Sequence, residues 1–451
     1  ALMRCNFLRQ RNLGQTIIKV FSASNNYGFR ISTMQSSTVT AERHKQSIVN
    51  QVHNKIDHNI GVSHELFQSL YSSCENSDSI TEHDAILMLH VCTIGPFDSP
   101  TQKRTELADK IWNKLEQQGV PISTKLFNVK LKVHVTNETP FSAVEALEKL
   151  KSLGLKPDRV TYGYLLEGFC QQGDLTGAND VLEAMKASGY LLGIGVFNSF
   201  ITGHFKSGSP DEAANVVNVL KSRGLTPDAD TYSRFALHYA KIGDIESVLK
   251  YINEAQGAGE PLDQSVLLEL YRTMVISGHF DKVEQLLKVM SETTKSIGTF
   301  MQKSSQLASE GHIEAAVQLY ILMPKTESKF ECNTGSYLLK AMIANGQHSA
   351  EEVMNIADRI VELNAKALPH RNALLHAYKL DRTDFAVQFL ELMKAKNEKI
   401  KVPHLAPAIC NYRKAQNREG LHQVLRMLLD LKGNYCAEDK MDCLLRLAIQ
   451  H

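Results

Sequence analysis

Long hydrophobic runs and paired cysteines are both missing from this chain of 451 residues. No run of apolar residues reaches the roughly 18 that a membrane-spanning helix needs, so we predict no membrane span. No two of the eight cysteines form a C-x-x-C pair, which argues against a zinc site or a disulfide framework. We therefore expect reduced, buried thiols. The cysteines are Cys5, Cys74, Cys92, Cys170, Cys332, Cys410, Cys436 and Cys443.

Signatures of catalysis are also absent. The chain has no Gly-rich phosphate-binding loop, no H-E-x-x-H pair and no nucleophile elbow. His53, His58 and His64 fall in a polar segment, where surface histidines are a better interpretation than metal ligands. A metal-dependent nuclease domain in the C-terminal part of the chain would need a cluster of Asp residues on an α/β fold. Residues 299–451 instead have helical patterning throughout. We predict no enzyme activity, no cofactor and no metal site.

Acidic residues are missing from the first 41 positions, and Glu42 is the first one. The stretch has five basic residues and many Ser and Thr after position 21. This composition is typical of a mitochondrial transit peptide, and Arg30 indicates cleavage near residue 31, which assigns residues 1–31 to the peptide. Its removal would change the net charge from +1 to −4. The alternative is a disordered basic tail that binds nucleic acid.

What the chain does contain is a repeat of 35 residues. An aromatic position and two glycine positions recur at this spacing. They are Phe127, Tyr162, Phe197 and Tyr232; Gly154, Gly189, Gly224 and Gly259; and Gly173, Gly208, Gly243 and Gly278. A fixed period of 20–50 residues is the signature of a stacked-repeat protein. The units are 124–158, 159–193, 194–228 and 229–263, followed by a degenerate unit 264–298.

Each unit has the pattern of two helices joined by a tight turn. Four apolar residues recur at helical spacing in unit 159–193 and predict the buried side of its first helix. They are Tyr162, Leu165, Leu166 and Phe169. Gly173 is expected to end that helix in a left-handed conformation, and Asp174 to cap the second. In the next unit, Ser209 with Pro210 and Glu212 predicts a capping box.

The hairpin pattern extends to both sides of the regular units. Residues 32–80 are a polar segment with one predicted helix at about 63–74, and 81–123 are a degenerate, expanded leading repeat. Residues 299–451 are predicted to form degenerate hairpins. The last helix, at about 437–450, has an apolar side and no partner, so we expect the array to continue beyond this chain.

Stacked units of this kind predict an all-α fold, a right-handed α-solenoid of helical hairpins, because no single unit can bury its apolar side alone. The unit ends GLKPD (154–158), GLTPD (224–228) and GEPLD (259–263), with the openings VTY (160–162) and DTY (230–232), resemble the pentatricopeptide repeat (PPR). A tetratricopeptide unit differs, since it has 34 residues and a Trp-Leu-Gly-Tyr pattern.

The order of features over about 82–290 is similar to animal mitochondrial members of the PPR family. That resemblance implies a protein that binds single-stranded RNA, namely mitochondrial mRNA, and supports its stability, polyadenylation and translation. It also implies a location in the mitochondrial matrix, with the nucleus as a second location. The partner it implies is a small RRM protein, the stem-loop-interacting RNA-binding protein.

In this family the fifth and last residues of a unit contact one base, and the second residue packs against the base. The resemblance thus implies RNA contacts by three pairs and by one aliphatic residue. The pairs are Asn128 with Asp158 and Asn198 with Asp228, which favour uridine, and Ser233 with Asp263, which is associated with guanosine; the aliphatic residue is Val160. Gly163 with Gly193 should be permissive, and Leu268 with Gly298 is uninformative. Alternatively, the Asp residues simply cap the helices that follow them.

Charge leaves a second class of function open. Units 124–263 hold 14 Lys and Arg against 17 Asp and Glu, a net charge of −3. The family resemblance implies that the first helices of the units line a concave groove that binds RNA. Because phosphate neutralisation supplies most non-specific affinity for RNA, basic residues must gather near this groove. The candidates are Lys125, Lys132, Arg159 and Arg234. The alternative function is an α-solenoid protein-interaction scaffold, since a near-neutral groove also suits peptide or protein partners.

Overall fold

The structure is a computed structural model that describes residues 43, 45–56, 62, 64–75, 80–94, 101–293, 296–323, 334–364 and 367–430. The predicted transit peptide, His58, the loop 95–100 and the predicted last helix 437–450 lie outside these residues. The described part is almost entirely helical, as the all-α prediction requires. None of its helices is long and apolar enough to cross a membrane.

The chain enters the array through residues 45–56, which are helical, and three further helices. These are α1 (His64–Glu75), α2 (Glu82–Ile94) and α3 (Thr101–Gln117). The prediction of a single helix in residues 32–80 is therefore wrong, because Ile48, Val49 and Val52 give residues 45–56 an apolar side that packs into the core. Helices α2 and α3 pack together as a hairpin, which is the arrangement expected of the leading repeat. Trp112 of α3 is buried and meets the ring of Phe127 edge-on, so this hairpin packs on the first regular unit.

Five hairpins follow in the 35-residue register. They are α4 (Thr124–Thr136) with α5 (Ala143–Ser152), α6 (Arg159–Gln171) with α7 (Leu175–Ala187), α8 (Ile194–Lys206) with α9 (Pro210–Ser222), α10 (Ala229–Ile242) with α11 (Ile245–Gly257), and α12 (Gln264–Ile276) with α13 (Glu284–Thr293). Every first helix begins at the first residue of its unit. A short 3₁₀ turn, Phe280–Lys282, precedes α13.

Four further hairpins complete the described chain. They are α14 (Ile297–Ser309) with α15 (Ile313–Leu322), α16 (Thr334–Asn345) with α17 (Ala350–Leu363), α18 (Pro369–Lys379) with α19 (Thr383–Ala395), and α20 (Val402–Lys414) with α21 (Arg418–Asp430). Degenerate hairpins are expected over this region, and the described residues from 297 to 430 form them.

Local sequence explains where the helices start and stop. Gly173 has φ of +74°, so it takes the left-handed conformation expected after α6. Asp174 caps α7 by accepting from the Gly177 backbone N–H at 2.9 Å. The capping box predicted at Ser209 is wrong. Its backbone N–H already donates to the His204 carbonyl at 2.8 Å, which leaves Glu212 nothing to accept there.

The hydrophobic core runs along the array and is interrupted once. One cluster of buried residues extends from Ile48 to Val196, and another from Ala236 to Leu428. Between them lies a small cluster of Ile201, Ala213 and Phe235. The predicted buried side of α6 is confirmed for Tyr162, Leu165 and Leu166, whereas Phe169 is half-buried against the cluster.

Of the four cysteines that the structure describes, three are buried in the core. Cys74, Cys92 and Cys170 are buried, and burial raises the pKa of Cys92 to about 12. Cys410 is exposed, so the expectation of buried thiols is wrong at that position. The reason is helical register, since the buried residues of α20 lie on the opposite side of the helix from Cys410. They are Leu405, Ala408, Ile409 and Tyr412.

Candidate nucleic-acid interface

First helices of successive hairpins contact one another from α2 to α20. They form a continuous surface, which we call the first-helix face. The second, fifth and ninth positions of a first helix lie on one side of it, because spacings of three and four residues bring side chains together. Lys125, Asn128 and Lys132 of α4 share this spacing. The first-helix face is therefore where the predicted contact residues are presented.

The last residue of each predicted pair is a helix cap. Asp158 accepts from the Thr161 backbone N–H at 2.7 Å, and the Thr161 hydroxyl accepts from the Asp158 backbone N–H, which completes a capping box. Asp228 and Thr231 repeat this arrangement in α10. Asp263 caps α12 by accepting from the Val266 backbone N–H. The capping role proposed as the alternative is thus present in all three.

Two of these caps also hold an asparagine of the preceding unit. The Asn128 amide donates to both carboxylate oxygens of Asp158, at 3.0 and 3.1 Å, and its carbonyl oxygen accepts from the Thr161 hydroxyl. Partial burial opposes ionisation of Asp158, but hydrogen bonds from Thr161 and Asn128 outweigh it and lower its pKa. The carboxylate is therefore charged at neutral pH and fixes the orientation of the amide.

Asn198, the second asparagine, donates to two carboxylates instead of one. The Asn198 amide donates to Asp228 at 3.1 Å and also to Asp230 at 2.9 Å, while its carbonyl oxygen accepts from the Thr231 hydroxyl. Partial burial opposes ionisation of Asp228, yet hydrogen bonds from Thr231 and Asn198 lower its pKa as well. Asn198 is 1% exposed and Asn128 is 7% exposed, so both amides are almost covered.

Arg234 spans three first helices beside Asn198. From α10 it donates to Glu167 of α6 at 2.9 Å and to Thr202 of α8 at 2.6 Å. It also donates to Asp230 at 3.1 Å and to the Asn198 carbonyl oxygen of the main chain at 3.1 Å. We call Glu167, Asp230 and Arg234 the Arg234 bridge. The two carboxylates of this bridge neutralise Arg234, which is the one predicted groove cation in units 194–263.

The other predicted positions differ from the asparagine pairs. Ser233 is buried and donates to the Asp230 carbonyl oxygen at 2.8 Å, whereas Asp263 is exposed and bonds to Ser265, so these two residues make no hydrogen bond to each other. Open space surrounds Gly163, as expected of a permissive position. The Arg159 guanidinium lies against Gly193, where it would clash with a side chain.

Three of the four predicted groove cations keep their charge free. Lys125, Lys132 and Arg159 make no hydrogen bond or ion pair with the described residues, unlike Arg234. Burial of His90 on α2, followed by the positive charges of Lys132 and Lys125, lowers the pKa of His90. The two lysines and His90 are thus neighbours, and His90 is neutral at pH 7.

Histidines make no metal site in the described chain. His53 is half-buried rather than on the surface, and it stacks on His83 with ring centroids 5.4 Å apart. No group of three or more metal-binding side chains comes together among the described residues.

The partners of the two asparagines have only weak signals in the sequence. Thr161 and Thr231 lie three residues after an Asp cap, and this spacing is the available signal for a capping box. Asp230 is the second residue of unit 229–263, where comparison with Val160 would place an aliphatic residue. Its bond to Asn198 depends on how α8 and α10 pack, which no local pattern encodes.

Comparisons with known proteins identify the family. Residues 153–186 and 195–225 match family models described as PPR repeat. Over 363 residues the chain is 31% identical to the leucine-rich PPR motif-containing protein, mitochondrial, of Mus musculus. The chain belongs to the pentatricopeptide-repeat family.

The curated relatives of this PPR chain are longer than it is. The mouse match covers 80% of the chain and 26% of the relative. The Xenopus tropicalis protein of the same name is 30% identical over 390 residues, which is 84% of the chain and 28% of the relative. The chain spans about a quarter of the length of these relatives. Small ribosomal subunit protein mL103 (rPPR7) of Arabidopsis thaliana is 30% identical over 96 residues, 21% of the chain and 23% of the relative.

A solved PPR structure matches most of the chain at low identity. The crystal structure of the pentatricopeptide repeat protein PPR10 in complex with an 18-nt psaJ RNA element covers 98% of this chain and 78% of that chain, at 14% identity and a TM-score of 0.38.

Proposed function

We propose that this chain binds single-stranded RNA along its first-helix face and recognises bases through the predicted pairs. The observation that carries the proposal is the Asn128 site. A charged Asp158 there holds an amide that has both a donor and an acceptor, the combination that the Watson–Crick edge of uridine requires. Val160 lies two residues after Asp158 and is 50% exposed, an apolar surface against which a base can pack.

The other predicted contacts are proposed in decreasing order of support. Asn198 also donates to the Asp of its pair, Asp228, and accepts from the capping Thr231, but its amide has Asp230 as a second acceptor. Ser233 with Asp263 lacks a bond between its members, so this pair rests on the family resemblance alone. Lys125, Lys132 and Arg159 are the proposed phosphate contacts, because their charges are unpaired and flank the Asn128 site.

The cellular role is proposed from the relatives. Those of mouse and Xenopus are named mitochondrial. We propose that the protein binds mitochondrial mRNA in the matrix, with the nucleus as a second location, and supports mRNA stability, polyadenylation and translation. A small RRM protein, the stem-loop-interacting RNA-binding protein, is the proposed partner. No catalytic step, cofactor or metal enters the proposal.

Binding to short RNAs tests the base recognition. The chain is titrated, with and without the RRM partner, with RNAs containing U-N-U-G and with the same RNAs carrying C or A at each U. A lost base-edge contact is worth about 1–3 kcal/mol, so we expect about 5-fold to 150-fold weaker binding when a recognised U is replaced. Asn128→Ala should remove the preference at one U. Asn179→Ala, on the exposed surface of α7, is the matched control and should change nothing.

A protein-interaction scaffold is the second candidate. It is favoured by the ion pairs that the first-helix face makes within itself, namely the Arg234 bridge and the pairs of Arg272 with Glu269 and Glu310. Such internal pairing leaves few charges for phosphate. An absence of any U preference in the wild-type titration would favour the scaffold and contradict RNA recognition.

A further inference from the structure

The two asparagine sites differ in how much hydrogen-bonding capacity they leave for a ligand. At the first site both contacts of the Asn128 amide nitrogen go to one carboxylate, Asp158. Its two oxygens are too close together to receive two N–H bonds that diverge at an sp² nitrogen, so a single N–H directed between them accounts for both contacts. The second N–H of Asn128 therefore stays available.

At the second site no N–H remains. The Asn198 amide nitrogen contacts two different carboxylates, Asp228 and Asp230, so each N–H has its own acceptor. The residue that makes the difference is the second residue of the following unit. Asp230 occupies in α10 the place that Val160 occupies in α6, while the capping threonines Thr161 and Thr231 are the same.

The Arg234 bridge holds Asp230 in this place. The Arg234 guanidinium bonds Asp230 on one side and Glu167, two units earlier, on the other, so it crosses α8 beside Asn198. Glu167 is fixed in turn by the Ser199 hydroxyl. The side chains of Arg234 and Glu167 are 21% and 13% exposed, so water weakens this pair less than a surface pair.

We propose that Asp230 is a specificity-determining residue that closes the Asn198 site to base recognition. The Asn198 site has the same Asn–Asp pair as the Asn128 site, but both N–H groups of its amide already donate to protein carboxylates. It also has no apolar side chain at the position that Val160 occupies in the Asn128 site. The Asn128 site therefore discriminates uridine, and the Asn198 site accepts any base. This inference rests on the proposed function, since it assumes that RNA lies on the first-helix face.

Exchange of the two residues tests the inference. Asp230→Val gives the Asn198 site the apolar side chain that Val160 provides at the Asn128 site, and it leaves one N–H of Asn198 without its acceptor. We expect it to create a U preference of about 5-fold or more at a second RNA position, where the wild-type chain shows less than twofold. Val160→Asp in the full chain should reduce the preference at the first position to less than twofold. Arg234→Met removes the guanidinium that holds Asp230 beside Asn198, so it should create a smaller U preference at the same RNA position.

The outcomes separate the two proposals. A wild-type chain that already prefers U at two positions overturns the closure by Asp230 and leaves the proposed function standing. Unchanged base preferences in Asp230→Val overturn it too. Failure of every variant to bind any of the RNAs contradicts the proposed function itself.

A measurement without RNA guards against variants that merely misfold. Selective ¹⁵N labelling of asparagine reports the two side-chain N–H groups of Asn198. Both should be protected from solvent exchange in the wild-type chain, and one should become unprotected in Asp230→Val, with thermal unfolding of the two proteins alike. Equal protection in both proteins would overturn the assignment of the second N–H to Asp230.

Discussion

Segments 124–193 and 194–263 share the 35-residue register but differ in net charge, in the hydrophobic core and in the charged groups on the first-helix face. The first has 8 basic and 8 acidic residues, and the second has 6 basic and 9 acidic. The first segment is covered by one large core cluster, which ends at Val196 in the first turn of α8, whereas the rest of α8 and α9 packs on a small cluster of Ile201, Ala213 and Phe235. Free cations lie on the first-helix face of the first segment, and the Arg234 bridge lies on that of the second.

The difference shows that repeat register and ligand recognition are specified by separate residues. Glycines, aromatic residues and caps repeat in both segments and set the hairpins. The side chains on the first-helix face differ between the two segments, because solvent or a ligand can satisfy them. One segment is thus open to a ligand, while the other uses the same surface for its own stability.

The largest expected effect tests the continuous core of the first segment. Leu165 is fully buried in α6, and Leu→Ala at such a site costs about 2–5 kcal/mol through lost burial and a residual cavity. Leu165→Ala should lower the free energy of unfolding by this amount and speed hydrogen exchange across 124–228. Leu191→Ala is the matched control, since Leu191 in the same unit is 85% exposed. Equal stability of the two variants would show that the core is placed wrongly.

The next effect tests the hydrogen bonds and ion pairs that join the first helices of the second segment. Arg234→Met removes charged hydrogen bonds that join α6, α8 and α10, so we expect a loss of about 1–2 kcal/mol in denaturant unfolding. Lys186→Met breaks an exposed pair with Glu183 and should cost no more than about 0.5 kcal/mol. If both substitutions cost the same, the bridge is an ordinary surface ion pair.

A smaller effect concerns the free cations. Neutralising Lys125, Lys132 and Arg159 with Gln should reduce the slope of log affinity against log salt by about 2, since each phosphate contact on a single strand contributes about 0.7. The control neutralises three exposed lysines of second helices, Lys110, Lys151 and Lys221, which share the same charge. Equal loss of slope in both triple variants would mean that RNA does not prefer the first-helix face.

The smallest effect should be the same in both segments. Hydrogen bonds lower the pKa of Asp158 and Asp228, so their contribution to stability is present above the unfolded pKa, near 4, and is lost as pH falls through the folded pKa. Asp158→Ala and Asp228→Ala should each cost about 1 kcal/mol at pH 7 and less at pH 2. Acid titration of stability measures this, and unequal losses would show that the two capping boxes are not equivalent.

Sequence predicted the parts of this structure that depend on local rules. Every regular first helix starts where the repeat places it, and Asp158, Asp228 and Asp263 cap three of the five. Ser123 caps α4, whereas α8 follows Gly193 and has no side-chain cap. The prediction at Ser209 failed because a neighbouring turn had already used the backbone N–H. Asp230 and Arg234 were missed as partners of Asn198 because their bonds depend on the packing of three helices.

Photo-crosslinking tests the central claim most directly. An RNA with 4-thiouridine at each U in turn is bound to the full chain, irradiated, digested and analysed by mass spectrometry. We predict crosslinks to peptides of the first helices, above all to residues 125–132 and 158–163 around Asn128 and Val160. Crosslinks confined to second helices, such as α5, α7 and α9, would contradict RNA binding on the first-helix face.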